Sequence, residues 1–156
     1  MRAGDLVPDF ELPDQDGKPV RLAELLVQGP VVLFFYPAAM TPGCTKEACH
    51  FRDLAAEFAA VGAQRVGISA DPPAKQREFA DRHGFDYPLL SDEDGAIARQ
   101  FGVQRGGVVR RLGLPVKRQT FVIGTDRRVV AAIASELNMD RHADEALAAV
   151  RAATTG

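Results

Sequence analysis

The two cysteines of this 156-residue chain fall within one short segment, Pro37-Ala38-Ala39-Met40-Thr41-Pro42-Gly43-Cys44-Thr45-Lys46-Glu47-Ala48-Cys49. The segment follows the apolar run Val31 to Tyr36 directly, so Pro37 is placed to end a strand and Thr41-Pro42 to start a helix, threonine at the N-cap and proline at the first helical position. Cys44 then lies in the first helical turn. The unpaired N–H groups and positive dipole end found there favour thiolate over thiol, and the thiolate is the nucleophile. The Thr41 hydroxyl can donate and accept near the sulfur, and Pro37 shields it. A thiolate ringed by donors is suited to attack an O–O bond, because donors that hold both oxygens also stabilise charge on the one that leaves. The sulfur product of that attack is a sulfenic acid.

A cation would assist. Arg118, just ahead of the apolar stretch Gln119 to Ile123, reaches the sulfur if that stretch forms a strand beside the one ending at Tyr36. The run Val31 to Tyr36 has no polar face and reads as a strand buried on both sides, at the sheet centre. After it, Ala48, Phe51, Leu54, Ala55 and Phe58 recur at helical steps, predicting one amphipathic helix from Cys44 to Ala60 that ends near Gly62.

The remaining elements alternate. Phe10 to Leu12 and Val20 to Leu22, separated by turn residues, predict a small N-terminal hairpin covering one edge of the fold. Arg65 to Ala70 reads as a strand, Asp71-Pro72-Pro73 as the start of a helix running to about His83, Tyr87 to Leu90 as a brief strand and Asp94 to Phe101 as a short helix. Gln119 to Ile123 and Val129 to Ala134 flank Gly124-Thr125-Asp126-Arg127-Arg128 as a hairpin, and Asp140 to Ala153 closes the chain as a helix. The expected architecture is α/β, a mixed central sheet flanked by helices. Gln104 to Arg118, which holds Gly106, Gly107 and Gly113 among several arginines, reads as a long, basic, irregular connection.

Length and composition agree with one soluble domain spanning 1–156: 46% of residues are hydrophobic, 26% are charged, and the formal charge is -2. That balance gives no case for nucleic acid or an anionic membrane surface as partner. No apolar run approaches the ~18 residues of a membrane span, and Met1-Arg2-Ala3-Gly4-Asp5 opens no signal-type stretch, so the expected location is the cytoplasm. In a reducing cytosol two cysteines serve catalysis, redox sensing or metal binding more readily than structure. His50, His83 and His142 lack the paired spacings of a zinc site, so neither a metal nor a cofactor is expected, and His83 and His142 read as surface residues of helices.

The pattern Pro37-x-x-x-Thr41-x-x-Cys44, with TPGCTKEAC and HFRD following, resembles the peroxiredoxins, specifically their bacterioferritin comigratory protein (PrxQ) class. The likeness extends to Pro8-Asp9-Phe10-Glu11-Leu12-Pro13-Asp14, VGISADPP, YPLLSD and Arg118-Gln119-Thr120-Phe121-Val122-Ile123. The resemblance implies a thioredoxin-like fold and a peroxide substrate. In it Cys44 is the peroxidatic cysteine, Thr41 and Pro37 its active-site partners, and Arg118 the arginine that polarises thiolate and peroxide. It further implies that Cys49 resolves the sulfenic acid as a disulfide, reopened by thioredoxin or a similar dithiol protein, within a monomer; a dimer is the alternative. Glu47 and Arg52 support the active-site network in such proteins, whereas by themselves Lys46 and Glu47 read as helix-surface charges. Ala38-Ala39-Met40 makes the rim apolar where the family often carries polar residues, which favours larger organic hydroperoxides.

Positions five apart on a helix have Cα atoms roughly 8–9 Å apart, beyond the span of a disulfide, so the helix must unwind locally before Cys44 and Cys49 join. Two rival readings stand beside the peroxidase. One is a thiol-disulfide oxidoreductase, though that chemistry normally uses CxxC; the other is a redox sensor whose unwound helix binds a partner. Arg105, Arg110, Arg111 and Lys117 read as solvated charges or a docking patch for a reductant.

Overall fold

A computed structural model describes residues 1–106 and 115–155. In chain order it contains β1 (Glu11–Pro13), β2 (Pro19–Arg21), α1 (Leu22–Leu26), β3 (Val31–Phe35), α2 (Pro42–Asp53), α3 (Ala55–Ala60), β4 (Gln64–Ser69) and α4 (Pro73–His83). There follow β5 (Leu89–Ser91), α5 (Ala96–Phe101), β6 (Gln119–Ile123), β7 (Val129–Ala134) and α6 (Asp140–Thr155).

The unbroken apolar run makes β3 the middle strand of a five-stranded sheet ordered β5-β4-β3-β6-β7. It pairs in parallel with β4 and antiparallel with β6, and β4 pairs in parallel with β5. Alternation along the strand splits its side chains between two cores. Val32, Phe34 and Tyr36 meet Phe51, Phe58, Phe79 and Val150 on one face; Val31, Leu33 and Phe35 meet Leu22, Ile97, Phe101 and Phe121 on the other. A strand buried on both sides has no use for a polar face, which is why its pattern carries no period of two.

The hairpin β1–β2 forms a separate two-stranded sheet at the β5 edge. There the Gln15 side chain donates to Tyr87 O and accepts from Leu89 N, satisfying backbone groups at the sheet's outer strand.

Two expectations need correction, and one element is new. The helix expected from Cys44 to Ala60 is two helices, broken at Leu54 (φ -95°, ψ 20°). Arg65 from β4 donates to Phe51 O at 2.9 Å, satisfying a carbonyl near the break. The five-residue helix α1 has too few turns to show a helical period and was not anticipated. The strand read at Tyr87 to Leu90 begins only at Leu89; Pro88 has no N–H to offer the ladder. Of the basic connection, Gln104 to Gly106 and Pro115 to Arg118 are described, and residues 107–114 with Arg110 and Arg111 lie outside the described residues. The two described ends run antiparallel, Arg105 N donating to Pro115 O and Lys117 N to Val103 O, which delivers Arg118 to the start of β6.

Candidate active site

Where β3 ends, Pro37 is buried and the chain turns through Ala38 to Met40 into α2. This turn is held rather than free. Met40 has φ 65°, a left-handed conformation unfavourable for a side chain of its length. The neighbouring Ala39 N–H donates to Asp71 Oδ2 at 2.7 Å, and the same oxygen accepts from Ser69 Oγ at the end of β4. The site loop is thus tied to the adjacent strand.

Thr41 occupies the N-cap with extended backbone (φ -83°, ψ 153°), and its carbonyl accepts the first helical bond, from Thr45 N. Its hydroxyl does not cap the helix, contrary to the sequence reading; it donates to Ala38 O at 2.8 Å. That engagement leaves the first-turn N–H groups of α2 unclaimed by Thr41 and the hydroxyl oxygen able to accept.

Cys44, 1% exposed, sits in this first turn, and Arg118 Nη1 donates to its Sγ at 3.3 Å. The register Phe35↔Gln119 places β6 beside β3 and so brings Arg118, 74 residues away in sequence, against the sulfur. Gly43 is what makes room: a Cβ there would lie 3.1 Å from Arg118 Nη2 and 3.7 Å from Met139 Sδ. Burial works against the guanidinium charge, but Glu47 and Cys44 outweigh it and hold the Arg118 pKa above its ordinary value. Glu136 Oε1 accepts from the Arg118 backbone N–H at 3.2 Å and from Arg105 Nη2 at 2.7 Å, so Arg105 is ion-paired rather than a free solvated charge.

Two residues read as surface groups are buried at the site. Glu47 is 0% exposed, with Oε1 3.6 Å from Arg118 Nη1 and Oε2 3.4 Å from His142 Nε2. Burial raises its carboxyl to about 8, against the opposing pull of Arg118. His142 is likewise 0% exposed, and burial pushes its pKa down. The correction for both has one cause: α6 packs on α2 as well as on β6 and β7, leaving no solvent on either side of that seam. Lys46 is exposed as expected. Arg52 turns from the sulfur to His83 O and Asp53.

Cys49 is half-buried on the same helix, and both cysteines are free thiols. Burial raises the Cys49 pKa, which keeps it a thiol while α2 is folded. Several contacts pin α2 around it: Tyr87 OH donates to Ala48 O at 2.6 Å, and His50 Nε2 meets Asp144 Oδ1 on α6 at 2.7 Å. Among the described residues no group of three or more His, Cys, Asp or Glu could hold a metal ion.

A thiol at a helix N-terminus, donor groups around it, a buried arginine on the sulfur and a second thiol one and a half turns on define a thiol peroxidase of thioredoxin-like fold. The chain belongs to the AhpC/TSA family, whose model matches residues 3–132. Among solved structures it is similar to the peroxidoxin BcpB of Mycobacterium tuberculosis, 66% identical, covering 97% of each chain with TM-score 0.92. The bacterioferritin comigratory protein of Xanthomonas campestris, studied for alkyl peroxide reduction, is 33% identical, covers 92% of this chain and 91% of its own, and has TM-score 0.83. Peroxiredoxin Bcp of Escherichia coli K12 is 48% identical over 103 residues, 66% of this chain and 65% of that one. The chain is a peroxiredoxin, a thiol-dependent peroxidase with a thiol reductant.

Proposed function

We propose that Cys44 is the peroxidatic cysteine and Cys49 the resolving one, in a cycle that reduces hydrogen peroxide and organic hydroperoxides. The observation that carries this reading is the Arg118 Nη1 contact with the buried Cys44 Sγ, 3.3 Å away at the first turn of α2. Cys44 thiolate attacks the terminal oxygen of ROOH; the S–O bond forms, the O–O bond breaks, and RO⁻ takes a proton to leave as alcohol or water. Arg118, the Thr41 hydroxyl and the first-turn N–H groups hold the two oxygens and the charge that develops between them. Pro37 walls the sulfur from bulk solvent.

The Cys49 thiolate then attacks the Cys44 sulfenic sulfur, displacing hydroxide, which leaves as water after protonation, and forming the disulfide. Thioredoxin or a similar dithiol protein returns two electrons and two protons to regenerate both thiols. Because both cysteines lie on one α2, a monomer completes the cycle. We place the protein in the cytoplasm, working as one domain over 1–156; among the described residues no helix is long and apolar enough to cross a membrane. The side chains of Met40 and Met139 around the turn and Gly43 favour alkyl hydroperoxides as well as hydrogen peroxide.

Rapid mixing with peroxide tests the assignment. Wild type should lose thiols fast and stoichiometrically, Cys44→Ser should not react, and Cys49→Ser should stop at a persistent sulfenic acid. Peroxide consumption by Cys44→Ser at the wild-type rate would sink the reading.

A further inference from the structure

The buried Glu47–His142 pair has no part in the chemistry above. His142 Nε2 lies 2.8 Å from Ser135 O, an atom that only accepts, so Nε2 carries the proton. Nδ1 lies 2.8 Å from Thr120 Oγ1, which donates to it in the neutral ring. Nε2 also lies 3.4 Å from Glu47 Oε2, but its single N–H is directed at Ser135 O, and neither Glu47 oxygen has a hydrogen-bond partner. A buried carboxyl without a hydrogen bond is held by packing and by the positive charge density of the two N–H groups beside it. The other of those groups belongs to Arg118 Nη1, which touches Cys44 Sγ.

We propose that His142 is a positioning residue for peroxide reduction: Ser135 and Thr120 lock its ring, the ring edge at Nε2 packs against the Glu47 carboxyl and holds it in place, and the carboxyl in turn seats Arg118 on the Cys44 sulfur. The arrangement runs across three elements, from Thr120 on β6 through His142 on α6 to Glu47 on α2. Its consequence is electrostatic. An ionised Glu47 competes with the sulfur for the single Arg118 charge, whereas a protonated Glu47 leaves that charge to the sulfur. Burial keeps Glu47 protonated to about pH 8, and the same burial pushes the His142 pKa down, which disfavours a positive charge beside the carboxyl. The other groups facing the pair and its arginine are Cys44 on α2, Tyr87 ahead of β5, Glu136 between β7 and α6, and Arg141 on α6.

The inference rests on Cys44 as the peroxide-reactive thiol, so wild type and Cys44→Ser are measured beside the variants. If wild-type Cys44 does not react, that reading fails; if it reacts and the variants below behave otherwise than stated, only the role of His142 fails. His142→Gln keeps an amide N–H near the Nε2 position, whereas His142→Asn is too short to reach Glu47. The second-order rate of Cys44 with peroxide should fall about tenfold in His142→Asn and recover to within about threefold of wild type in His142→Gln. The rate–pH profile should shift in His142→Asn, which a loss of folded protein would not do. In a Glu47→Gln background the Asn substitution should add no further loss. Equal losses in the Gln and Asn variants, an unchanged rate and profile in His142→Asn, or additive effects with Glu47→Gln would overturn the proposal. Nitrogen NMR of histidine-labelled wild type decides the case even if a variant does not fold: a ring protonated on Nε2 alone supports it, and one protonated on Nδ1 alone overturns it.

Discussion

In the proposed cycle, joining Cys44 to Cys49 requires α2 to unwind, so contacts that pin the middle of α2 should slow resolution. Tyr87 makes the clearest of them. Its ring is buried in the aromatic cluster with Phe34 and Phe85, and its hydroxyl donates to Ala48 O, within the part of the helix that must rearrange. Tyr87→Phe keeps the ring and deletes only the hydrogen bond. A buried neutral hydrogen bond contributes about 1 kcal/mol net. Ala48 O keeps its helical partner, so no acceptor is stranded and the loss should stay near that figure. The unwound state loses this bond in either protein, so the substitution destabilises only the folded helix, and unwinding becomes about fivefold more favourable. Disulfide formation after a saturating peroxide pulse, followed by quenched alkylation and mass spectrometry, should accelerate by about that factor if unwinding limits it. Overoxidation to sulfinic acid should fall correspondingly, because the sulfenic acid is consumed sooner. The melting temperature should drop by about 2–4 °C. A drop in stability without any change in resolution rate would refute the idea that folded α2 is the barrier.

Three further outcomes are expected. Arg118→Met should slow the reaction of Cys44 with peroxide by on the order of 10²–10³-fold, as loss of one donor to a developing oxyanion does, while leaving the alkylation rate of Cys49 within about twofold; rapid-quench kinetics read both. Amides from Lys46 to Phe51 should lose protection from hydrogen exchange on peroxide oxidation of wild type but keep it in Cys49→Ser. For Glu47 the folded carboxyl is raised from 4.5 to about 8, so between these values the folded chain holds a proton that the unfolded chain has released. Stability therefore falls as pH rises through that window, and Glu47→Gln, which does not titrate, should gain on wild type across it; denaturant melts at several pH values give the comparison.

Much of the site is legible because its signals are local. Pro37 after an apolar run and Thr41-Pro42 opening a helix are choices of backbone chemistry made within a few residues, and they place the thiol in a first helical turn. The apolar run of β3 likewise announces the sheet centre, and Asp71-Pro72-Pro73 the start of α4. The break at Leu54 is not local: helical spacing runs through it from Ala48 to Phe58, and a donor to the carbonyl of Phe51 arrives from Arg65 on a later strand. Thr41 was legible as an N-cap by type, yet its hydroxyl turns to Ala38 O because the loop ahead of it is drawn back by Asp71.

By itself the sequence determined the candidate nucleophile, the start of its helix and the family, since each depends on residues next to one another in the chain. Tertiary structure decided which charges surround that sulfur. Arg118 reaches Cys44 through a strand register, and Glu47 and His142 are buried because α6 closes over α2. Burial is a property of what packs against a residue. A glutamate and a histidine with the spacing of surface groups show it only once the facing helix is in place.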